Sequence, residues 1–192
     1  ALGRSSSLMN EAMERLSSGK RINRASDDPA GFHRVIRLNA EIRGINTASR
    51  NAADGQSLVD TLDTSLSEVQ SILLRMRELT IQAMSDTNSA DDRLALDSEL
   101  SQLELEITRI GSTTSFGGKP VFDGNLHYLQ IGPRSGNTLE VQAYTLSATT
   151  LGLNHDLTTR GNAESYLGII DTAIKDINEK RGAAGALSNT LD

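Results

Sequence analysis

The 192-residue sequence contains no cysteine and no tryptophan, only three prolines, and three each of phenylalanine and tyrosine. Without cysteine there is no disulfide framework, no thiolate metal site and no thiol nucleophile. Compact globules of this length usually anchor their cores on several aromatic rings, and aromatics here reach only 3%. Leucine, isoleucine, valine and alanine must carry the burial, which suits long packed helices better than a deep round core. No stretch approaches the roughly 20 apolar residues that span a bilayer, and residues 1–24 lack the apolar centre of a signal peptide. The sequence opens without methionine and stops inside a helical pattern, so both ends read as cut from something longer.

Charge is scarce in one sign in each part of the chain. The net charge is −6, yet residues 1–50 hold nine Lys/Arg against five Asp/Glu, and the remainder holds ten against twenty. Such asymmetry suits a polyanionic partner or complementary contacts between copies. The basic stretch has no tight Lys/Arg run, and its only aromatic is Phe32, which argues against a nucleic-acid groove.

Catalytic patterns are equally absent. His33, His127 and His155 are scattered, with no i, i+4 pair and no His-Glu-x-x-His helix. There is no Gly-x-Ser-x-Gly elbow, and Gly117-Gly118-Lys119 lacks the strand and spacing of a phosphate-binding loop, so it reads as a turn. We expect no catalytic, cofactor-binding or metal-ligating residues, and no cofactor. Asp27-Asp28 has the look of an acid or metal pair, but helix capping accounts for it beside Pro29.

The dominant signal is a heptad stripe. Ile45, Ala48, Ala52, Gly55, Val59, Leu62, Leu66, Val69, Leu73, Met76, Thr80 and Ala83 recur at unbroken 3-4 spacing, predicting one long helix from about Pro29 to Met84. Leu58, Ile72 and Leu79 widen the stripe, so contact with more than one helix is expected. Ser26, Asp27, Asp28 and Pro29 supply cap candidates, early acidic charge and a proline at the first helical position. After the break at Thr87-Asn88, Ser89 and Asp92 form a capping box. Leu96, Leu100, Leu103, Ile107 and Ile110 then predict a second helix folding back on the first, ended by Gly111 and residues 112–115. Leu2, Met9, Met13 and Leu16 predict a weaker amino-terminal helix reaching Ser17-Ser18-Gly19.

Residues 117–146 change character. Leu126 to Ile131 reads as a strand and residues 132–136 as a turn. Alternation of Leu139, Val141 and Ala143 with Glu140, Gln142 and Tyr144 completes an antiparallel hairpin. Residues 147–161 read as a polar loop without periodicity. Leu167, Ile170, Ile174 and Ile177 restart a helix from Asn162, continued by Ala184 and Leu191 and interrupted at Arg181 and Ser188. The expected fold is mainly α: an elongated bundle of long antiparallel helices with a small β-hairpin region. It divides into an amino-terminal helical segment (1–116), the hairpin and loop (117–161) and a carboxy-terminal helix packing back on the same core (162–192).

Five blocks in order resemble those of bacterial flagellins. They are Arg15-Leu16-Ser17-Ser18-Gly19-Lys20-Arg21-Ile22-Asn23 with Ser26-Asp27-Asp28-Pro29-Ala30-Gly31; Arg43-Gly44-Ile45-Asn46 with Ser49-Arg50-Asn51-Ala52-Ala53-Asp54-Gly55; Arg75-Met76-Arg77-Glu78-Leu79 with Gln82; Thr113-Thr114-Ser115-Phe116-Gly117-Gly118 before Phe122-Asp123-Gly124; and Asp171-Thr172-Ala173-Ile174 to Lys180-Arg181-Gly182-Ala183-Ala184-Gly185-Ala186. The resemblance covers nearly the whole chain. It implies a self-assembling structural subunit of the flagellar filament, secreted by flagellar type III export to the extracellular flagellum, with a coiled coil of outermost termini largely missing. It also implies a variable region reduced to the loop near 147–161. Implied partners are other flagellin subunits, the flagellar junction and cap proteins, an export chaperone that binds mostly the missing carboxy end, and the vertebrate Toll-like flagellin receptor.

Arg75, Leu79 and Glu99 match receptor-recognition positions of the family, with Leu74 standing where a polar Gln is common. Arg34, Arg37, Arg43 and Arg50, in the basic stretch, are candidates for lateral or axial subunit contacts. Two alternatives remain: the hook–filament junction protein, which typically lacks the Asn51–Gly55 and Thr113–Phe116 blocks, and a cell-surface flagellin homologue with an adhesive or ligand-binding role. An enzyme is the least supported reading.

Overall fold

The computed structural model describes residues 2–191, with side-chain surroundings for Ser6 and residues 8–191. Helix α1 (Leu2–Ser18) stops before Gly19, whose φ of 65° leaves the helical region. Its apolar face at Met9, Met13 and Leu16 is exposed, so α1 is helical without packing into the core; the Leu2 side chain lies outside the described residues. The loop that follows folds back, with the Arg24 guanidinium pairing with Glu14 at 3.0 Å.

Helix α2 (Pro29–Ala83) is unbroken for 55 residues, about 82 Å at 1.5 Å per residue. Ala48, Gly55 and every stripe position from Val59 to Ala83 are buried. Ile45, expected on the packed seam, is instead exposed together with Val35, Leu38 and Ile42. The reason is reach: Leu191, the last described residue, lies against Gly55, and no described helix flanks α2 further towards its start.

Helix α3 (Ala90–Thr113) begins at a complete capping box. Ser89 Oγ accepts the Asp92 backbone N–H at 3.1 Å, and Asp92 Oδ2 accepts the Ser89 N–H at 2.9 Å. Antiparallel packing on α2 is fixed at both ends: Arg93 Nε donates to the Ala83 carbonyl at 3.0 Å, and the hydroxyls of Ser65 and Thr114 meet at 3.4 Å. Hydrogen bonds from the Ser89 hydroxyl, then from its N–H, hold the Asp92 carboxyl below the usual carboxylate range. A folded-state pKa lowered in this way stabilises at neutral pH, and the contribution is lost as pH falls through that pKa. We therefore expect Ser89→Ala to be less stable than the parent at neutral pH, as loss of an N-cap side chain is, with the gap to the parent narrowing in acid. Urea titrations across the carboxylate range test this; a gap that stays constant in acid refutes the coupling.

Helix α4 (Arg160–Leu191) runs antiparallel to α2 on its other flank and buries Ala163, Tyr166, Ile170, Ala173, Ile177 and Ala184. The two residues that interrupt its apolar repeat are polar clasps. Arg181 Nε donates to Asp63 at 2.9 Å and its Nη1 to Gln70 at 2.6 Å, while Ser188 Oγ accepts from Gln56 at 2.7 Å.

Between α3 and α4 lie two two-stranded antiparallel sheets. Strands β1 (Ser115–Phe116) and β2 (Lys119–Pro120) are joined by Gly117 and Gly118 with φ of 57° and 79°. That turn demands positive φ at both central residues, and strands this short carry no alternation to read. Strands β3 (Leu126–Gln130) and β4 (Thr138–Gln142) pair with His127 opposite Val141 and Leu129 opposite Leu139, placing one face on the core. The hairpin docks on α2 through the Asn51 side-chain amide, which donates to the Gln130 carbonyl at 2.9 Å. Pro133 and Leu129 close over Gly44 and Gly55, where side chains are missing. The segment after β4 differs from expectation. It has no periodicity, but Leu153 and Leu157 are buried in the same core as Leu66 and Leu100. Isolated buried leucines held by turns leave no repeat in the sequence.

Candidate functional site

The expected cap residues separate into two roles. Asp28 is the N-cap of α2, its Oδ1 accepting the Gly31 N–H at 2.9 Å, with Pro29 at the first helical position. Asp27 does not cap the helix. Its Oδ2 accepts the N–H groups of Asn23 and Arg24, both at 3.0 Å, and these bonds hold its carboxyl below the usual range, Arg24 contributing most. Ser26 is exposed in the turn that precedes Asp27 and makes no capping bond among the described residues. Only one residue can occupy the N-cap, and the backbone turn assigns it to Asp28.

On the outer side of α2, Arg75 bridges to α3. Its Nη2 and Nε both donate to Glu99 Oε1, at 2.8 and 3.2 Å, and its Nη1 lies 3.3 Å from Glu78 Oε2. Hydrogen bonding to Glu99, then to Glu78, raises the guanidinium pKa further. Arg75 and Glu99 are half exposed, with side-chain accessibilities of 51% and 45%. Leu79 is different. At 1% exposure it is core, so it offers no surface to a partner, and its place among the recognition candidates is corrected. Four residues place Leu79 on the same side of the helix as Arg75, but the remaining rotation turns it inward against α3 and α4.

Arg34, Arg37, Arg43 and Arg50 are all exposed, and among the described residues none of them forms an ion pair. Arg50 Nη2 donates only to the Thr47 hydroxyl, at 3.1 Å. Arg43 lines an open cleft of about 510 Å³ between α2 and the hairpin tip, opposite Pro133 and Arg134. Sequence reasoning missed Arg134, which pairs with Glu41 of α2 at 3.2 Å. Its turn setting in Pro133-Arg134-Ser135-Gly136 was the available signal, but nothing in sequence showed that the tip returns to α2.

A second group was also missed. His155 Nε2 lies 2.9 Å from Ser101 Oγ, its Nδ1 lies 3.0 Å from Glu104 Oε2, and the Tyr166 hydroxyl donates to Glu104 Oε1 at 2.7 Å. Burial, then Glu104, drives the Tyr166 pKa upward and keeps the phenol protonated. A serine, a histidine and a carboxylate at these distances mimic a nucleophile–base–orienter array. Here Ser101 sits mid-helix in α3 and donates to the Asp97 carbonyl. Backbone N–H groups inside a helix are committed to its own hydrogen bonds, leaving none to stabilise an oxyanion. The cluster instead ties the segment before α4 to α3, as Asp97 also does by accepting the Leu157 N–H at 2.9 Å. No group of three or more His, Asp or Glu among the described residues is placed to hold a metal ion. No described helix is long and apolar enough to cross a membrane.

A slender helical rod, a docked hairpin and unpaired surface arginines are features of an assembling subunit, and the comparisons give that subunit a family. The bacterial flagellin N-terminal helical region matches residues 1–127. A flagellin of Halalkalibacterium halodurans is 43% identical over 187 residues, covering 95% of this chain and 69% of that relative. The chain belongs to the flagellin family. Flagellin FlaB1 of Treponema pallidum is 32% identical over 210 residues, covering all of this chain and 73% of the relative. The crystal structure of Bacillus cereus flagellin superposes with a TM-score of 0.69 at 36% identity, covering 75% of this chain and 85% of that one. The chain is thus a structural subunit of the bacterial flagellar filament, serving motility and assembling with other flagellar components. Flagellins are structural proteins, and in this one the Ser101–His155–Glu104 cluster serves as a packing clasp between α3 and the segment before α4.

Proposed function

We propose that this filament subunit meets neighbouring copies through the basic stretch of α2, using Arg34, Arg37, Arg43 and Arg50, and that it catalyses no reaction. The observation that carries the reading is the combination of exposure and missing partners at these four arginines, beside an apolar stripe that runs on through Val35, Leu38, Ile42 and Ile45 outside the bundle. Solvated guanidinium groups gain little within a monomer but steer and register association between complementary surfaces. Export by the flagellar type III apparatus, an export chaperone, and contacts with junction and cap proteins follow from the family resemblance and belong to the same reading. The test is seeded filament growth followed by electron microscopy, with Arg43→Glu and Arg50→Glu introduced together into the chain as the cell makes it. We expect filament growth to slow by about tenfold, with the parent's growth weakening as salt rises. Normal growth of the variant removes the arginines from the interface.

A second reading is favoured by the exposed Arg75–Glu99 pair: recognition by the vertebrate Toll-like flagellin receptor through Arg75 and Glu99, with Leu79 acting beneath them as packing. Reporter cells bearing the receptor should respond to the parent chain and lose most of the response with Arg75→Ala, because few side chains dominate such contacts. Silence from the parent chain ends this reading.

A further inference from the structure

Helix α4 is held to α2 in two different ways along its length. From Ala163 to Ile177 the seam is apolar and closed: Ala163, Tyr166, Ile170, Ala173 and Ile177 are each at most 2% exposed. From Arg181 onward, Ala184 is the only buried residue among the described residues 181–191, with Leu187 and Leu191 partly buried. The rest of that hold is polar, through Arg181 on Asp63 and Gln70 and Ser188 on Gln56.

Three further features weaken the closed state over this stretch. Gly182 and Gly185 are exposed, have no positive φ, and a β-carbon at either meets nothing within 4 Å. Neither turn nor packing requires glycine there, and each one favours the unwound chain. Gln56 Nε2 donates to both Asp60 and Ser188, while its Oε1 is buried without a hydrogen-bond partner among the described residues. Such an acceptor regains a bond once water reaches it. Beside it, a gap of about 10 Å³ separates Val59 and Leu62 of α2 from Val141, Ala184 and Leu187, so the apolar lining there loses contacts.

We propose that residues 181–191 form a strap that opens from α2 as one unit while α2, α3 and the first twenty or so residues of α4 stay folded. Lys180 marks the boundary, its ammonium pairing with Asp176 and lying 5.1 Å from the centre of the Tyr144 ring. Opening uncovers Val59, Leu62 and Val141, so an apolar floor between α2 and the hairpin is accessible in the open state alone. Gly55 then loses Leu191 and keeps Leu129. Strap opening needs no neighbouring copy and is independent of the arginine contacts.

Residue-resolved amide hydrogen exchange of the monomer in low urea tests this, using the chain as the cell makes it. Amides of 181–191 should exchange together, about a hundredfold faster than those of 170–177 and with little dependence on urea. Gly182→Ala with Gly185→Ala should slow exchange in the strap about tenfold, roughly threefold for each glycine. Gly168→Ala supplies the discriminating result. It stabilises the closed and strap-open states equally, so it should slow exchange at 170–177 about threefold and leave the strap unchanged. If Gly168→Ala slows both stretches alike, α4 opens as a whole and the proposal falls. Protection in the strap equal to that of 170–177, a gradient fading smoothly along 181–191 instead of a step at Arg181, or no effect of the double glycine variant also overturns it.

Discussion

Gly111→Ala is expected to destabilise the folded chain by about 3 kcal/mol, although alanine is the better helix former. In an ordinary helix interior the same change stabilises by up to about 1 kcal/mol. Gly111 lies buried near the end of α3, where the chain leaving the β3–β4 sheet crosses it. A β-carbon there would stand 1.9 Å from the Leu146 carbonyl oxygen and 2.8 Å from the carbonyl carbon. The obstacle is backbone, so no rotamer change relieves it. Leu146 itself is buried beside Val121 and Phe122 in the core, so moving its carbonyl displaces the packing of the whole crossing segment. Gly168 and Gly185 of α4 are the controls, because a β-carbon at either meets nothing within 4 Å. Alanine at those positions should stabilise by about 0.5–1 kcal/mol. Urea unfolding of the three variants separates the effects. A Gly111→Ala chain as stable as the parent means the crossing segment does not rest on α3 in solution.

Gly111 also shows where sequence reading stops. Its position after Ile110 marks it as a helix terminator, and that is how periodicity treats it. Its actual reason is a contact with a carbonyl 35 residues later, which no local pattern contains. The same division runs through the molecule. The seam from Ala48 to Ala83, the Ser89–Asp92 box, the β3–β4 alternation and the repeat of α4 were legible because each repeats at the period of its own element. Arg181 and Ser188 looked like interruptions, since their partners Asp63, Gln70 and Gln56 sit more than 100 residues earlier. His155 looked isolated because Ser101 and Glu104 reach it from α3 across a non-repeating segment. Of the surface candidates, the exposure of the four arginines agreed with their charge. The burial of Leu79 did not follow from its spacing to Arg75, because one face of a helix that packs on two neighbours is both surface and seam. The basic cleft itself required Arg134, whose approach to Glu41 depends on the hairpin folding back over Gly44.

Adjacent leucines on α2 provide the sharpest test of that phase. Leu73 is fully buried and belongs to the core with Leu66, Val69, Leu100 and Ile170. Leu74, one residue and about 100° further round the helix, is 47% exposed. Leu73→Ala removes side-chain atoms from a site closed by α3 and α4, both fixed by long-range ion pairs and caps, so the cavity collapses poorly. The expected loss is about 3–4 kcal/mol, within the range for buried leucines. Leu74→Ala removes the same atoms from partly wetted surface and should cost about 0.5 kcal/mol or less. Because α2 is the element that touches α3, α4 and the hairpin, Leu73→Ala should depress assembly by unfolding the monomer. Leu74→Ala leaves the rod intact beside Arg75 and Glu99, so any change it makes in filament growth or receptor response belongs to the surface. Equal costs at the two positions would mean that the long helix is rotated from the phase that its heptads set.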